Sequence, residues 1–350
     1  MSGTERARRI LLKTGVSEVA GEVRGDAPCL MLRADWVVDP ALLGLLRAEL
    51  PGVALTVRGV VLAAHVSAAD AAAVYAAFLT AALPPGIREI SCGAGAPIYL
   101  PALRKRLVPE VMPLTAETVA AAEKATFGGS YKGVTDIVTK YLWPCPARWA
   151  TRWCAERGIS PNAVTLTGLL LTCVVPFLFI QGWFAAGLAA AWLMTFLDTV
   201  DGKLARCTLT YTPFGNIFDH GIDLISPPFW WWAWHTGCLA AGAAYPLPEA
   251  ALAAVVGGYV VLRLQEGVFK HLFGMHIHVW RRFDSLFRLV VARRNPILLI
   301  LSVSMVCGAP GWGMAATAAW TAISVLVHTV QLFQALISRR VRPVVSWMAE

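Results

Sequence analysis

Long apolar runs make up most of the chain from about residue 162 onward, and short polar joints separate them. Six of these runs are long enough, or nearly so, to cross a bilayer core, which needs about 20 helical residues. The pattern predicts six transmembrane helices, at 162–184, 186–205, 215–241, 249–271, 295–309 and 313–337. The fifth run is the shortest, and Pro296 at its start suits the first turn of a helix.

Basic residues between the runs support this assignment. The joints after the second, fourth and sixth runs contain Lys and Arg, whereas the joints after the first, third and fifth contain neither. Because cytoplasmic joints are rich in Lys and Arg, this alternation predicts an even number of spans with both termini in the cytoplasm. We therefore expect a multi-pass protein of the inner, cytoplasmic membrane.

The first 130 residues mix charged and apolar positions at the density of a soluble protein. The stretches APCLMLRA and GVVLAAHV are strand-like, while PALLGLLRAEL and AADAAAVYAAFLTAAL have apolar residues at helical spacing. The basic amino terminus is followed by no apolar segment of a secretory signal. The pattern predicts a small cytoplasmic α/β domain over 1–130, in which the small-residue stretch around Gly93 and Gly95 is too weak to assign a phosphate loop.

Basic and aromatic residues alternate between the two parts, in KGVTDIVTKYLWPCPARWATRWCAERGISPN. This mixture is typical of an amphipathic helix that lies on a membrane, with Trp143, Trp149 and Trp153 at the interface. We predict such a juxtamembrane helix over 131–160, followed by a six-helix domain over 161–343. An ordinary connecting helix is the alternative.

Composition and charge narrow the possible partners. The chain is 57% apolar and has a formal net charge of +8. Its Lys and Arg residues lie beside the apolar runs, so an anionic membrane surface is the simpler partner and nucleic acid is not expected. The eight cysteines form no CxxC pair and no zinc-ligand spacing.

Four acidic residues lie at the end of the second run and the start of the third, in FLDTVDGKLARCTLTYTPFGNIFDHGID. Asp198 and Asp201 share one helix face, and so do Asp219 and Asp223, because helical residues three or four apart are neighbours. Two antiparallel helices could then bring all four carboxylates together. Since a single Asp at a bilayer centre costs about 2.5–3.5 kcal/mol on insertion scales, the cluster needs a function.

Divalent metal would explain the acidic cluster. Mg²⁺ and Mn²⁺ prefer oxygen ligands, and two such ions can stabilise the attacking and leaving oxygens of a phosphoryl transfer. Gly202, Ala205 and Gly215 lack bulk where a nucleotide or a neighbouring helix would approach, and by themselves they leave both interpretations open.

The segment resembles the DxxDGxxAR-x8-GxxxDxxxD signature of CDP-alcohol phosphotransferases, also called CDP-alcohol phosphatidyltransferases, at every defined position. The resemblance implies a homodimeric six-helix membrane enzyme that binds CMP and divalent metal at its cytoplasmic side and joins a phosphoalcohol to an acceptor hydroxyl. It implies that Asp223 is the catalytic base and is also within reach of metal. The implied metal ligands are Asp198, Asp201, Asp219 and Asp223, and the implied nucleotide-site residues are Gly202, Ala205, Arg206 and Gly215.

Two further segments suggest binding residues. GISPNAVTLTG is similar to the PNxxT start of the family's first helix, which implies a nucleotide-site role for Asn162, although Asn162 could also be a helix cap. Near the fifth run, Arg293 and Arg294 are candidate ligands of an acceptor phosphate, with a merely positive-inside joint as the alternative. His276 and His278 could ligate metal, but we interpret them as interfacial residues, because the sequence offers no acidic partner at suitable spacing.

The first part of the chain has a looser resemblance. LRADWVVDPALLGLL and AEKATFGGSYKGVTDIVTKYL are similar to the layout of fused inositol-phosphate cytidylyltransferase and di-myo-inositol-phosphate-phosphate synthase proteins. Because the Gly-rich nucleotide loop of such a fusion is missing, the resemblance implies a degenerate, non-catalytic first domain. We interpret Asp35 as a surface residue rather than a metal ligand.

The sequence therefore predicts an enzyme of phospholipid or polar phosphodiester synthesis. CDP-diacylglycerol and CDP-inositol both fit as donors, and the acceptor is an alcohol that is phosphorylated or lipidic. The alternative is a cation-coupled transporter, because intramembrane carboxylates also mark ion pathways. Transporters often contain paired repeats, whereas the chain has no second acidic segment of this kind.

Overall fold

A computed structural model describes residues 1–22, 27–92 and 97–349. They form two compact units, which are described separately. The first contains Met1–Tyr131 together with Arg206–Leu209, and the second contains Lys132–Ala205 and the residues from Thr210 onward. The stretch around Gly93 and Gly95 lies outside the described residues.

The first unit is a small α/β structure. Its helices are α1 (Gly3–Lys13), α2 (Pro40–Ala48), α3 (Ala71–Thr80) and α4 (Val119–Gly129). Its strands are β1 (Cys29–Leu32), β2 (Trp36–Val38), β3 (Val53–Val57), β4 (Val60–Val66), β5 (Arg88–Ser91), β6 (Ile98–Leu100), β7 (Lys105–Leu107) and β8 (Val111–Pro113). The two strands and two helices predicted from APCLMLRA, GVVLAAHV and their flanking helical stretches correspond to β1, β4, α2 and α3.

Four strands form the main sheet, in the order β1-β4-β3-β5, and the pairs β2–β8 and β6–β7 form two short ladders. Strand β4 is antiparallel to β1 and β3, whereas β5 is parallel to β3. Leu55 packs in a cluster with Leu43 of α2, while Ala54 packs in another cluster with Val74 of α3. Because successive strand residues point to opposite faces, helices cover both faces of the sheet.

The second unit is helical. It contains a π turn at Val138–Leu142 and a 3₁₀ turn at Ile277–Val279. Its helices are α5 (Pro144–Glu156), α6 (Pro161–Ile180), α7 (Phe184–Thr208), α8 (Pro213–Ala240), α9 (Pro248–Phe273), α10 (Arg282–Phe287), α11 (Arg294–Val306) and α12 (Pro310–Ser338). Each of the six predicted apolar runs therefore contains one helix, α6 to α9, α11 and α12.

Four of these helices, α6, α7, α9 and α12, are long and apolar enough to cross a membrane, among the residues that the structure describes. Helix α11 has only 13 residues, fewer than the predicted run and fewer than the roughly 20 that a bilayer core needs. Helix α8 has 28 residues but contains Pro227, Pro228 and the acidic residues. The fold thus consists of a small α/β region followed by a helical unit with four candidate spans.

The predicted juxtamembrane helix is shorter than expected. The α-helix begins only at Pro144, after the π turn at Val138–Leu142, because proline has no N–H to continue the hydrogen bonding from the preceding residues. Trp149 is 70% exposed, and Ala147 and Cys154 on the same helix are buried, as an amphipathic helix requires. Trp143, in contrast, packs edge-on against Trp192 and Phe196 of α7.

Aromatic packing fixes the helix that carries two of the acidic residues. Trp230, Trp231 and Trp234 of α8 are fully buried, and the Trp234 ring lies 4.9 Å from the ring of Phe179 on α6. A Cβ atom at Gly237 would lie 1.9 Å from the Phe179 carbonyl oxygen, so only glycine permits this approach. Helices α6 and α8 are therefore closely packed beneath the candidate site.

Candidate active site

The four acidic residues of the signature meet at one cleft. Asp198 and Asp201 lie on α7 and Asp219 and Asp223 lie on α8. Carboxylate oxygens of the first three lie within 4.8 Å of one another. The lining of the cleft consists of Thr165, Gly168, Met194, Asp198, Asp201, Asp219, Ile222 and Asp223. The helical spacing predicted this convergence.

Asp201 is the most buried of the four, with 4% of its surface exposed. Its Oδ2 atom accepts a hydrogen bond of 2.6 Å from the hydroxyl of Thr165 on α6. Its Oδ1 atom is buried and has no hydrogen-bond partner among the described residues. Because a buried, unpaired carboxylate oxygen is costly, this atom and its neighbours suit a hard divalent cation.

Arg294 binds two carboxylates of the acidic cluster. Its Nη2 atom donates to Asp198 Oδ2 at 2.6 Å, and its Nη1 atom donates to Asp223 Oδ1 at 2.5 Å. One guanidinium at the start of α11 thus connects α7 with α8. Sequence reasoning assigned Arg294 to an acceptor phosphate, and that role stays a prediction, whereas the ion pairs with Asp198 and Asp223 were missed.

Arg293 belongs to a second charged network, centred on Glu266 of α9. The Glu266 carboxylate accepts hydrogen bonds from Arg293, from Arg263 at 2.8 Å and from His278 Nε2 at 3.2 Å. His278 is 1% exposed, so the interpretation of it as an interfacial residue is wrong. Its acidic partner was not recognised because Glu266 precedes it by 12 residues on a different element.

Burial dominates the chemistry of His278. Desolvation lowers the pKa of His278 well below its usual range, although the bond to Glu266 acts in the opposite direction. Glu266, His278 and His328 are close enough to hold a metal ion. Both Glu266 oxygens, however, are already bonded to guanidiniums, whose charges repel a cation. We therefore assign this cluster as a charge network and not as a metal centre.

Two of the predicted nucleotide-site residues, Gly215 at the start of α8 and Asn162 at the start of α6, lie close together. A Cβ atom at Gly215 would lie 3.1 Å from Asn162 Oδ1 and 3.2 Å from Thr212 Oγ1, so Gly215 and Asn162 are neighbours. Asn162 is exposed in the first turn of α6. Ser160 caps this helix by accepting from Ala163 N at 3.2 Å, so the alternative interpretation of Asn162 as the cap is wrong. Pro161 occupies the first helical position, which leaves the cap to the residue before it.

Gly202, Ala205 and Arg206 follow Asp201 along α7, and all three are half-buried. Within the first unit, Arg206 Nε donates a hydrogen bond of 2.9 Å to the carbonyl oxygen of Ser130. A contact of these residues with a nucleotide stays a prediction.

One signal could have revealed part of what sequence reasoning missed. Arg263 and Glu266 are charged residues three positions apart inside an apolar run, and such residues usually face a functional interior. The pairing of Arg294 with Asp223 has no local signal, because 71 residues separate them.

Comparison with known proteins identifies the same region. A model of the family described as CDP-alcohol phosphatidyltransferase matches residues 158–335. Cholinephosphotransferase 1 of Homo sapiens is 29% identical over 154 residues, which are 40% of this chain and 35% of the relative. Archaetidylinositol phosphate synthase of Pyrococcus horikoshii is 40% identical over 73 residues, 21% of this chain and 38% of the relative.

The looser resemblance is also confirmed. The bifunctional IPC transferase and DIPP synthase of Rubrobacter xylanophilus is 27% identical over 205 residues, which are 59% of this chain and 44% of the relative. The chain spans less than half the length of these curated relatives.

Proposed function

The chain belongs to the CDP-alcohol phosphatidyltransferase family and is a multi-pass membrane protein, and from this premise we propose that it transfers a phosphoalcohol from a CDP-linked donor to an acceptor hydroxyl and releases CMP. The observation that carries the proposal is the convergence of Asp198, Asp201, Asp219 and Asp223 on one cleft. Phosphoryl transfer needs positioned negative charge for cations and a base for the acceptor, and this cleft supplies carboxylates for both.

Asp198, Asp201 and Asp219 would hold divalent cations, Mg²⁺ or Mn²⁺, and two ions fit the charge of the cluster. When bound, these cations supply positive charge that stabilises the phosphate oxygens of the donor. The unpaired Oδ1 atom of buried Asp201 supports this assignment. Asp223 would also be within reach of a bound cation, because it lines the same cleft and shares its partner Arg294 with Asp198.

Asp223 would act as the base. Its side chain is 40% exposed, more than the Asp198 side chain at 22%, so an acceptor can reach it. The carboxylate takes the hydroxyl proton of the acceptor, the alcohol oxygen bonds to the β-phosphorus of the donor, and the bond from that phosphorus to CMP breaks. Tyr259 of α9 donates to the carbonyl oxygen of Leu224 at 2.9 Å, which holds this part of α8 in place.

The nucleotide would lie beside the acidic cluster. It would contact the residues that follow Asp201 on α7 and the first turns of α6 and α8. Gly215 and Asn162 are neighbours, and the absence of a side chain at Gly215 leaves space beside the Asn162 amide. We assign the nucleotide site to Asn162, Gly202, Ala205, Arg206 and Gly215.

The donor would be CDP-diacylglycerol or CDP-inositol, and the acceptor an alcohol that is phosphorylated or lipidic. Arg293 and Arg294 are the proposed ligands of an acceptor phosphate. The Glu266 network supports the choice of Arg293, because it keeps a guanidinium half-buried next to the residue that binds Asp223. The name of the archaeal relative, which contains an inositol phosphate, favours inositol chemistry.

The proposed topology has six spans, α6 to α9, α11 and α12, with both termini in the cytoplasm, in the inner membrane. Basic residues in the joints after α7, α9 and α12 support this orientation. We further propose that the protein is a homodimer in contact with membrane lipids, and that its first unit is a non-catalytic relic of a nucleotidyltransferase.

The test is a CMP-release assay with the full chain purified in detergent. The protein is incubated with Mg²⁺ or Mn²⁺, labelled CDP-diacylglycerol or CDP-inositol, and candidate alcohols. We expect CMP and a labelled product with one donor, and none in excess chelator. Cation flux in proteoliposomes, without CMP release from either donor, would favour the transporter instead.

A further inference from the structure

Residues ahead of the family match are part of the helical unit. The match begins at residue 158, whereas the unit begins at Lys132. Residues 132–143, which we call the upstream segment, make buried polar contacts with the stretch that leads into α11. These contacts were not expected from the sequence, which predicted an interfacial helix, with an ordinary connecting helix as the alternative.

Asp136 is the centre of these contacts, and only 7% of its surface is exposed. Its Oδ1 atom accepts from the backbone N–H groups of Val138 at 3.1 Å and Thr139 at 3.0 Å. The same atom accepts from Asn295 Nδ2 at 3.0 Å. One carboxylate therefore both closes the π turn of the upstream segment and binds the first turn of α11.

A second hydrogen bond joins the upstream segment to Leu289, which precedes α11 in the chain. The Ile137 N–H group donates to the Leu289 carbonyl oxygen at 2.9 Å. Burial raises the pKa of Asp136, but the charge of Arg288 and the bonds from Thr139 and Asn295 outweigh it, so the pKa lies below its usual value. The carboxylate is therefore ionised when it binds Asn295.

The upstream segment also reaches the helix that carries Asp198. The ring of Trp143 lies 5.2 Å from the ring of Phe196, two residues before Asp198 on α7. The positive charge of Lys132 interacts electrostatically with Asp198. The segment thus contacts both α7, which carries Asp198, and the start of α11, which carries Arg294.

We propose that Asp136 is a positioning residue of the site, which holds Arg294 against Asp198 and Asp223 through its hydrogen bond to Asn295. Asn295 directly follows Arg294 in the first turn of α11, so fixing its side chain fixes the helix start. The inference rests on the proposed function, because its consequence is measured as CMP release. It assigns part of the catalytic architecture to residues outside the family match.

The test compares three variants of the full chain in detergent. Asp136→Ala removes the whole set of bonds, and Asn295→Leu removes only the bonds that Asn295 donates to Asp136 and Thr139, while the side chain stays branched at the same position. The control Thr329→Val removes a half-buried hydrogen bond of 2.8 Å from Gln265, which joins α9 and α12 away from the acidic cluster. Hydrogen exchange of peptides covering 289–297 and CMP release are measured on each folded protein.

We expect at least tenfold faster exchange in 289–297 and at least a tenfold lower kcat for Asp136→Ala and Asn295→Leu, with the donor KM within about twofold, since small misplacements of catalytic groups are costly. Thr329→Val should change neither. If Asp136→Ala does not fold, Asn295→Leu alone decides.

Unchanged exchange, unchanged kcat, or an equal loss in Thr329→Val would each overturn the inference. Absence of CMP release from the wild-type protein would instead count against the proposed function. The exchange arm would then decide by itself whether Asp136 fixes the start of α11.

Discussion

The hydroxyl of Thr165 on α6 donates a hydrogen bond of 2.6 Å to Asp201 on α7. The bond fixes one oxygen of a buried carboxylate and leaves the other, Oδ1, without a partner among the described residues. Thr165 was noted in the sequence only as the last residue of PNxxT. In the structure it orients a candidate metal ligand.

Thr165→Val should therefore weaken metal binding. Partners of metal ligands typically contribute 10- to 100-fold to affinity, so the Mg²⁺ concentration for half-maximal CMP release should rise by about tenfold or more. The control is Thr167→Val on the same helix, because the Thr167 hydroxyl is exposed and donates only to the Ala163 carbonyl oxygen. Equal Mg²⁺ requirements in the two variants would argue against the role of Thr165.

Arg294→Gln should increase the rise in Tm that added Mg²⁺ produces. The Arg294 guanidinium is bonded to Asp198 and Asp223, so it competes with a cation for their charge. Without it, the carboxylates repel at low Mg²⁺, and added Mg²⁺ should raise the Tm more than in the wild type. Turnover should fall more than tenfold, since Asp223 loses the partner that orients it.

Arg293→Gln is the matched control for this experiment, because Arg293 pairs with Glu266 and, among the described residues, forms no ion pair with the acidic cluster. Its Mg²⁺-dependent shift in Tm should equal that of the wild type. If Mg²⁺ raises the Tm of Arg294→Gln by the same amount as that of Arg293→Gln, Arg294 does not compete with the cation for the carboxylates.

Gly215→Ala should raise the KM for the CDP-linked donor several-fold. The new Cβ atom would lie 3.1 Å from Asn162 Oδ1, which is closer than ordinary contact, and would displace the amide. Gly221→Ala on the same helix is the control, since a Cβ atom there meets nothing within 4 Å. Both substitutions favour helix by up to about 1 kcal/mol, so stability should not fall in either. Equal KM values would remove Gly215 from the nucleotide site.

Stability should decrease as the pH is lowered from 7.5 to 5.5, in part because of His278. Burial lowers its pKa in the folded state, while an unfolded histidine titrates near pH 6.5. Below that pH the unfolded chain binds a proton that the folded protein excludes, so acid favours unfolding. Glu266, Arg288, Arg293 and His328 surround the ring electrostatically or by contact.

His278→Gln keeps a donor for Glu266 but cannot titrate, so its Tm should depend less steeply on pH than that of the wild type. The exposed His271→Gln serves as the control and should keep the wild-type slope. If the slope of His278→Gln equals the wild-type slope, His278 is not the group responsible.

Local patterns in the sequence predicted most of the helices and the acidic cluster. Apolar runs located α6 to α9, α11 and α12, and spacings of three and four residues placed Asp198 with Asp201 and Asp219 with Asp223. Both kinds of pattern lie within a single helix, so no contact between helices is needed to recognise them. The ends of α5 differed from the prediction because Pro144 starts a new helix within the predicted one.

Contacts between distant parts of the chain could not be predicted in this way. Arg294 pairs with Asp198 across 96 residues, and Asn295 pairs with Asp136 across 159. No periodicity encodes such pairs, because they depend on how the helices pack. The burial of His278 escaped prediction for the same reason.

The most direct test of the account is CMP release by the wild type and by Asp223→Asn, with Mg²⁺ and the accepted donor and alcohol. Asparagine preserves the size of the side chain but cannot take the proton, so we predict loss of turnover by at least 10²-fold in a protein that stays folded. Turnover by Asp223→Asn within a few-fold of the wild type would contradict the proposed mechanism.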